Sequence, residues 1–145
     1  MTYSPILAPV VALVAWTLVM MFWMVVTRFA AMRRKGISLK GRVGTRTGAL
    51  EGVIEDQVNW KAHNYTHLVE QPTIFYAVAI ALALMDFGGG INLILAWAYV
   101  GLRVAHSLVQ ATVNIVLYRF ILWILSSLAL VGLTVHAAAY ILHHM

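Results

Sequence analysis

The stretch 63-HNYTHLVEQPTIFYAVAIALALM-85 decides how this chain folds. From Ile74 to Met85 it is apolar and free of charge, which reads as helix buried in a bilayer. Its first turns carry His63, Asn64, Thr66, His67 and Glu70, side chains that hydrocarbon accepts only when they face partners. The segment is therefore a membrane helix with one polar end, and the rest of the sequence must supply whatever that end faces.

The composition agrees with a lipid-embedded chain. Of 145 residues, 62% are hydrophobic and 10% charged, with a mean hydropathy of +0.85. A soluble domain carries about a quarter charged residues. Four apolar segments reach or approach the roughly 20 residues that cross a hydrocarbon core. They run over about 6–29, 65–85, 91–117 and 120–142, which predicts a single domain: an all-α integral membrane bundle of four transmembrane helices. The first segment lacks a basic leader and is followed by Arg28, Arg33, Arg34 and Lys35, so it is expected to be retained as a span and not cleaved as a signal peptide.

Charge is distributed unevenly between the links. Residues 28–46 hold seven basic side chains and no acidic one, whereas the link Asp86-Phe-Gly-Gly-Gly90 has none that is basic. Lysine and arginine excess marks the cytoplasmic side, which predicts a cytoplasmic loop over about 30–60 and both termini on the opposite side. The net charge of +5 is thereby assigned to topology and anionic headgroups, and nucleic acid is not an expected partner. Gly36 to Gly48 reads as a flexible connection, and Val53 to Trp60 as the beginning of the helix that becomes the second span. The absence of cysteine excludes disulfides, thiolate metal sites and a protein thiol nucleophile.

The third span supplies the expected partners: Arg103, His106 and Gln110, followed by Asn114 and Arg119. Arg103 lies about 12 residues into its span, roughly 18 Å at the helical rise, near the bilayer centre. Positions 63, 67 and 70 share a helix face, as do 103, 106 and 110. In an antiparallel hairpin turning at Asp86–Gly90, Glu70 then meets Arg103, His67 meets His106 and His63 meets Gln110. The prediction is a continuous polar seam from the membrane centre to the cytoplasmic surface. Arg28, Lys61, Arg103 and Arg119 outnumber Glu70 around it, so an anion is the expected guest.

These motifs resemble the MAPEG superfamily, the membrane-associated proteins in eicosanoid and glutathione metabolism. His67-Leu-Val-Glu70 with Pro72 is similar to the family's Asn-x-x-Glu and following proline. Arg103-x-x-His106 is similar to its helix-three Arg-x-x-His, and Arg119 stands where the family keeps the arginine that faces the glutathione sulfur. The Glu-x-Pro-x-x-Phe-Tyr pattern from Glu70 and the Arg-x-x-His-Ser pattern from Arg103 bring it closest to the uncharacterised bacterial branch. The resemblance implies a homotrimer in a bacterial inner membrane, binding glutathione as cosubstrate between subunits at the cytoplasmic leaflet. It implies conjugation of the thiol to lipophilic electrophiles or reduction of lipid peroxides, in the manner of a microsomal-type glutathione transferase or peroxidase.

By the same resemblance, Glu70 holds the tripeptide's amino end and pairs with Arg103, which shapes the pocket floor. His67 and His106 add hydrogen bonds, and Arg28, Lys61 or Arg119 meet the carboxylates or the sulfur, with Arg119 the catalytic candidate. His67 stands in place of the family's asparagine, with Asn64 nearly a turn earlier as a substitute, and Gln110 stands in place of a tyrosine. Two other classes compete with this reading. One is a non-catalytic scaffold or accessory subunit of a membrane complex, with Glu70 and Arg103 kept for structure. The other is a redox protein holding haem between His67 and His106. Met20, Met21 and Met24 read as packing and not as a metal site.

Overall fold

A computed structural model describes residues 3–46 and 48–145; Thr47 of the basic loop lies outside them. Its five helices are α1 (Leu7–Arg34), α2 (Asp56–Glu70), α3 (Pro72–Leu84), α4 (Gly90–Thr112) and α5 (Val116–His144). α2 and α3 together form one 29-residue rod, so four helical rods are long and apolar enough to cross a membrane. α1 alone is about 42 Å long at 1.5 Å per residue, more than a hydrocarbon core requires.

The ends of the rods differ from the sequence expectation in instructive ways. The second rod begins at Asp56, inside the 53–60 stretch read as its start and nine residues before the span expected from 65. Pro72 offers no N–H to the carbonyl four residues back, and the rod breaks there into α2 and α3. The third rod, expected to continue to 117, stops at Thr112. Asn114 takes a left-handed conformation (φ 53°), and its N–H reaches back to the Val109 carbonyl at 2.7 Å. At the far end of the hairpin Asp86 is likewise left-handed (φ 55°), and the Phe87 N–H closes on the Leu82 carbonyl at 2.9 Å.

α4 is the central element, touching α1, α2 and α5. Its buried side includes Ala96, Tyr99, Val100 and Ala111 together with five polar residues: Asn92, Arg103, His106, Ser107 and Gln110. Leu13 and Met20 of α1, Phe75 and Leu82 of α3, and Leu130 and Leu133 of α5 complete the core. Phe75 stacks on Tyr99 with ring centroids 4.5 Å apart. Gly132 allows close approach of α5 to α4, since a methyl there would lie 3.2 Å from a Leu95 methyl. Gly88 does the same for the chain start, because a side chain there would run into Ser4 and Ile6.

The basic loop is more organised than its glycines suggest. Leu50 and Ile54 pack on Ala31 and Met32 at the end of α1, forming a second small core with Ile37 and Val58. Arg34 meets Glu55, the residue preceding α2, at 3.5 Å. Hydrogen bonding to its own backbone and the charges of Arg34 and Lys35 hold the exposed Glu55 carboxyl below the usual range.

Candidate functional site

The polar seam exists, but its register is rotated by one residue on the second rod. The residues of that rod that turn inward are Asn64, Leu68, Pro72 and Phe75, with Gln71 half-buried beside them. The stripe expected from the sequence, His63, His67 and Glu70, lies about 100° around the helix from that line. Glu70 is consequently exposed, its side chain 60% accessible, and its carboxylate sits 3.4 Å from His67 Nδ1. It does not pair with Arg103.

Arg103 is almost fully buried and is satisfied by neutral groups. One guanidinium nitrogen donates to Gln71 Oε1, and Nε donates to the Tyr99 hydroxyl at 3.2 Å. Gln71 in turn donates from Nε2 to Ser127 Oγ at 2.9 Å, so the chain Tyr99–Arg103–Gln71–Ser127 ties together α4, the α2–α3 break and α5. A buried cation held by oriented dipoles is less costly than one left unpaired, which is why Gln71 can replace the expected carboxylate.

Nearer the loop, the seam is partly as expected. His67 and His106 meet edge to face with ring centroids 6.2 Å apart. Asn64 Nδ2 donates to Ser107 Oγ at 2.8 Å. Gln110 is buried, but its expected partner His63 is drawn away to Glu51 of the loop at 2.9 Å. The side-chain oxygens Asn64 Oδ1 and Gln110 Oε1 are buried without a hydrogen-bond donor among the described residues. Lys61 donates to the Ala111 carbonyl at 3.3 Å, near the end of α4, and lies 5.1 Å from the centre of the Trp23 ring. It serves the α1–α2–α4 junction.

Arg119 enters the seam from the first turn of α5. Its Nη1 donates to Asn114 Oδ1 at 2.8 Å, while its Nε is buried with no acceptor among the described residues. Glu70 meets His67 and His67 meets His106; Arg103 and Gln110 lie about one turn either side of His106 on α4, and Arg119 is tied to Asn114 just beyond the end of that helix. Arg28 does not join this group. It lines a separate cavity against Asn59, Ala62 and Thr66, on the opposite face of α2 from Asn64 and Gln71.

Four site residues were not singled out for a role in the sequence: Gln71, Tyr99, Ser107 and Ser127. A half-turn test of each neighbour of Glu70 would have admitted Gln71 as an equally placed partner for Arg103. Ser107 stands inside the Arg-x-x-His-Ser pattern, but a serine in an apolar helix gives no signal of its partner. A further polar pair, His136 Nδ1 and Asn92 Oδ1 at 2.7 Å, joins α4 and α5 away from the loop. The arrangement as a whole offers an exposed carboxylate, a half-buried imidazole at His67 backed by the buried one of His106, and an arginine with an unpartnered buried N–H, which suits a zwitterionic or anionic guest.

The sequence model of the MAPEG family matches residues 6–139. No curated protein and no solved structure matches the chain.

Proposed function

This chain belongs to the MAPEG family, membrane proteins of the glutathione and eicosanoid metabolism type, and from that premise we propose that it binds glutathione at the loop-side end of the α2–α4–α5 seam, within a homotrimer in a bacterial inner membrane. The loop is cytoplasmic in this reading, and each guest lies between one protomer's seam and a neighbouring copy. The observation that carries the proposal is Arg119: a guanidinium steered by Asn114, its Nε buried without an acceptor among the described residues.

The exposed Glu70 carboxylate receives the tripeptide's ammonium, and His67 lies within reach of the same end. Arg103, His106, Asn64 and Gln110 form the floor, because all four are buried within the protomer. Arg119 is the candidate catalytic residue. A thiol is mostly protonated at neutral pH, and an adjacent guanidinium favours the thiolate. The thiol proton passes to water, and the sulfur lone pair forms a C–S bond to an electrophilic carbon while a leaving group such as halide departs with its bonding pair. With a lipid hydroperoxide, two thiols supply two electrons, giving the alcohol, water and glutathione disulfide. Lipophilic electrophiles reach the site from the bilayer.

The test is a titration of the detergent-solubilised protein with millimolar glutathione, followed by melting temperature and by the ultraviolet absorbance of the thiolate. The wild type is stabilised and shows thiolate. Arg119→Ala retains stabilisation but loses the thiolate signal and the conjugation of a generic aromatic halide. No stabilisation together with no conjugation in the wild type sinks this reading and leaves the scaffold, for which a seam closed by Gln71 and Tyr99 is sufficient.

A further inference from the structure

A cavity of about 700 Å³ lies between the second half of α1, the basic loop and the outer face of α2. That volume falls within the range of about 300–1,000 Å³ usual for small-ligand sites. Arg28, Arg42 and Arg46 converge on it, and no carboxylate lines it among the described residues. The acidic groups nearest in sequence are already paired: Glu55 with Arg34, and Glu51 with His63, which stands in the cavity wall. Three guanidinium groups around one space, with a single paired carboxylate at its edge, favour an anion there.

The remaining wall identifies the kind of anion. Met24, Val25 and Phe29 of α1 line the same cavity, and Val25 and Phe29 are also exposed on the outside of the bundle, where acyl chains lie. Arg28 is six residues before the end of α1, about 9 Å from it along the axis, which is the depth of a headgroup boundary. Charge therefore sits at headgroup level and an apolar flank continues from it toward the bilayer. The small core of Leu50 and Ile54 against Ala31 and Met32 holds the loop over this space, so the arginines of the loop have a fixed floor to face.

We propose that this cavity binds the phosphate headgroup of an anionic membrane lipid, with the adjoining acyl chain laid along Met24, Val25 and Phe29. The arginines take the phosphate oxygens in the paired geometry that guanidinium favours. The site lies on the face of α2 opposite Asn64 and Gln71 and is separate from the seam proposed for glutathione, so either assignment can fail without the other.

The experiment uses the full chain in a neutral detergent and compares three probes: a short-chain phosphatidylglycerol, a short-chain phosphatidylcholine and inorganic phosphate. Melting temperature and bound lipid by native mass spectrometry are read for each. The expected result is stabilisation and retention specific to phosphatidylglycerol. The double variant Arg42→Gln, Arg46→Gln, altered only at exposed loop positions, weakens that binding by roughly tenfold or more and leaves glutathione titration unchanged. Equal effects of phosphatidylcholine overturn the proposal by showing a merely greasy groove. Equal effects of phosphate overturn it in favour of a soluble anion. Displacement of the lipid by saturating glutathione overturns it by merging the cavity with the thiol site, and full binding by the double variant removes the arginines from the argument. Should that variant fail to fold, the three-probe comparison on the wild type decides alone.

Discussion

Replacing Gln71 with leucine leaves the Arg103 guanidinium buried with the Tyr99 hydroxyl as its one remaining side-chain acceptor among the described residues. A hydrogen bond to a charged group is worth about 1.5–3 kcal/mol, and the loss at a buried site is of that size. Glu70→Gln, one residue earlier, alters an exposed carboxylate with a single 3.4 Å contact, and the expected cost is below about 0.5 kcal/mol. Unfolding of both variants in mixed micelles checks the contrast, and a larger loss for Glu70→Gln would restore the Glu70–Arg103 pairing. The sequence made a polar seam legible because His, Arg and Glu are conspicuous in apolar helices. It could not choose between Glu70 and Gln71, since residues 100° apart on a helix are both within reach of a long arginine. Charge complementarity favoured the wrong neighbour, and inward packing of Leu68, Pro72 and Phe75 fixed the rotation.

Among the elements, the α4–α5 turn has the most consequence for chemistry. Asn114 holds two functions: a left-handed backbone that ends α4 (φ 53°) and a side-chain oxygen that steers Arg119. Asn114→Gly satisfies the backbone and should fold normally while losing thiolate formation, because Arg119 is released. Asn114→Val, with a β-branched side chain in left-handed space, should cost about 1–3 kcal/mol. Thermal melting and thiolate absorbance together separate the two roles; if Asn114→Gly keeps full thiolate signal, Arg119 does not depend on this turn. Hydropathy ran the third span through to 117 because Ile115, Val116 and Leu117 are apolar. The break rests on one backbone angle, which asparagine permits but does not announce. The four rods were readable because each exceeds bilayer length, whereas the Pro72 break was masked by proline's tolerance at a first helical turn.

For the whole molecule, the outward surface is more telling than the core. Glu70 stands exposed within a rod that crosses the bilayer, with His67 3.4 Å from it, and an ionisable side chain in such a rod is tolerated when it faces protein or water and not acyl chains. Covering that face with a second copy meets that requirement. The chain contains no cysteine, so Val69→Cys places a single thiol on the exposed surface beside Glu70. Membranes carrying it should yield cross-linked species up to a trimer with a short bis-maleimide, and exclusively monomeric protein would rule out assembly through this face. The break at Pro72 also marks the level at which the halves of the protein are tied together. It falls at the depth of Arg103 and divides the protein across its waist. One side holds the loop, its small core and the candidate site; the other holds the α3–α4 hairpin with its stacked aromatic rings and the His136–Asn92 pair. The Arg103–Gln71–Ser127 chain crosses that waist like a pin through a joint. Arg103 and Gln71 thus fasten the loop half to the apolar half at one level, so a single substitution there loosens α4, the α2–α3 junction and α5 from one another together.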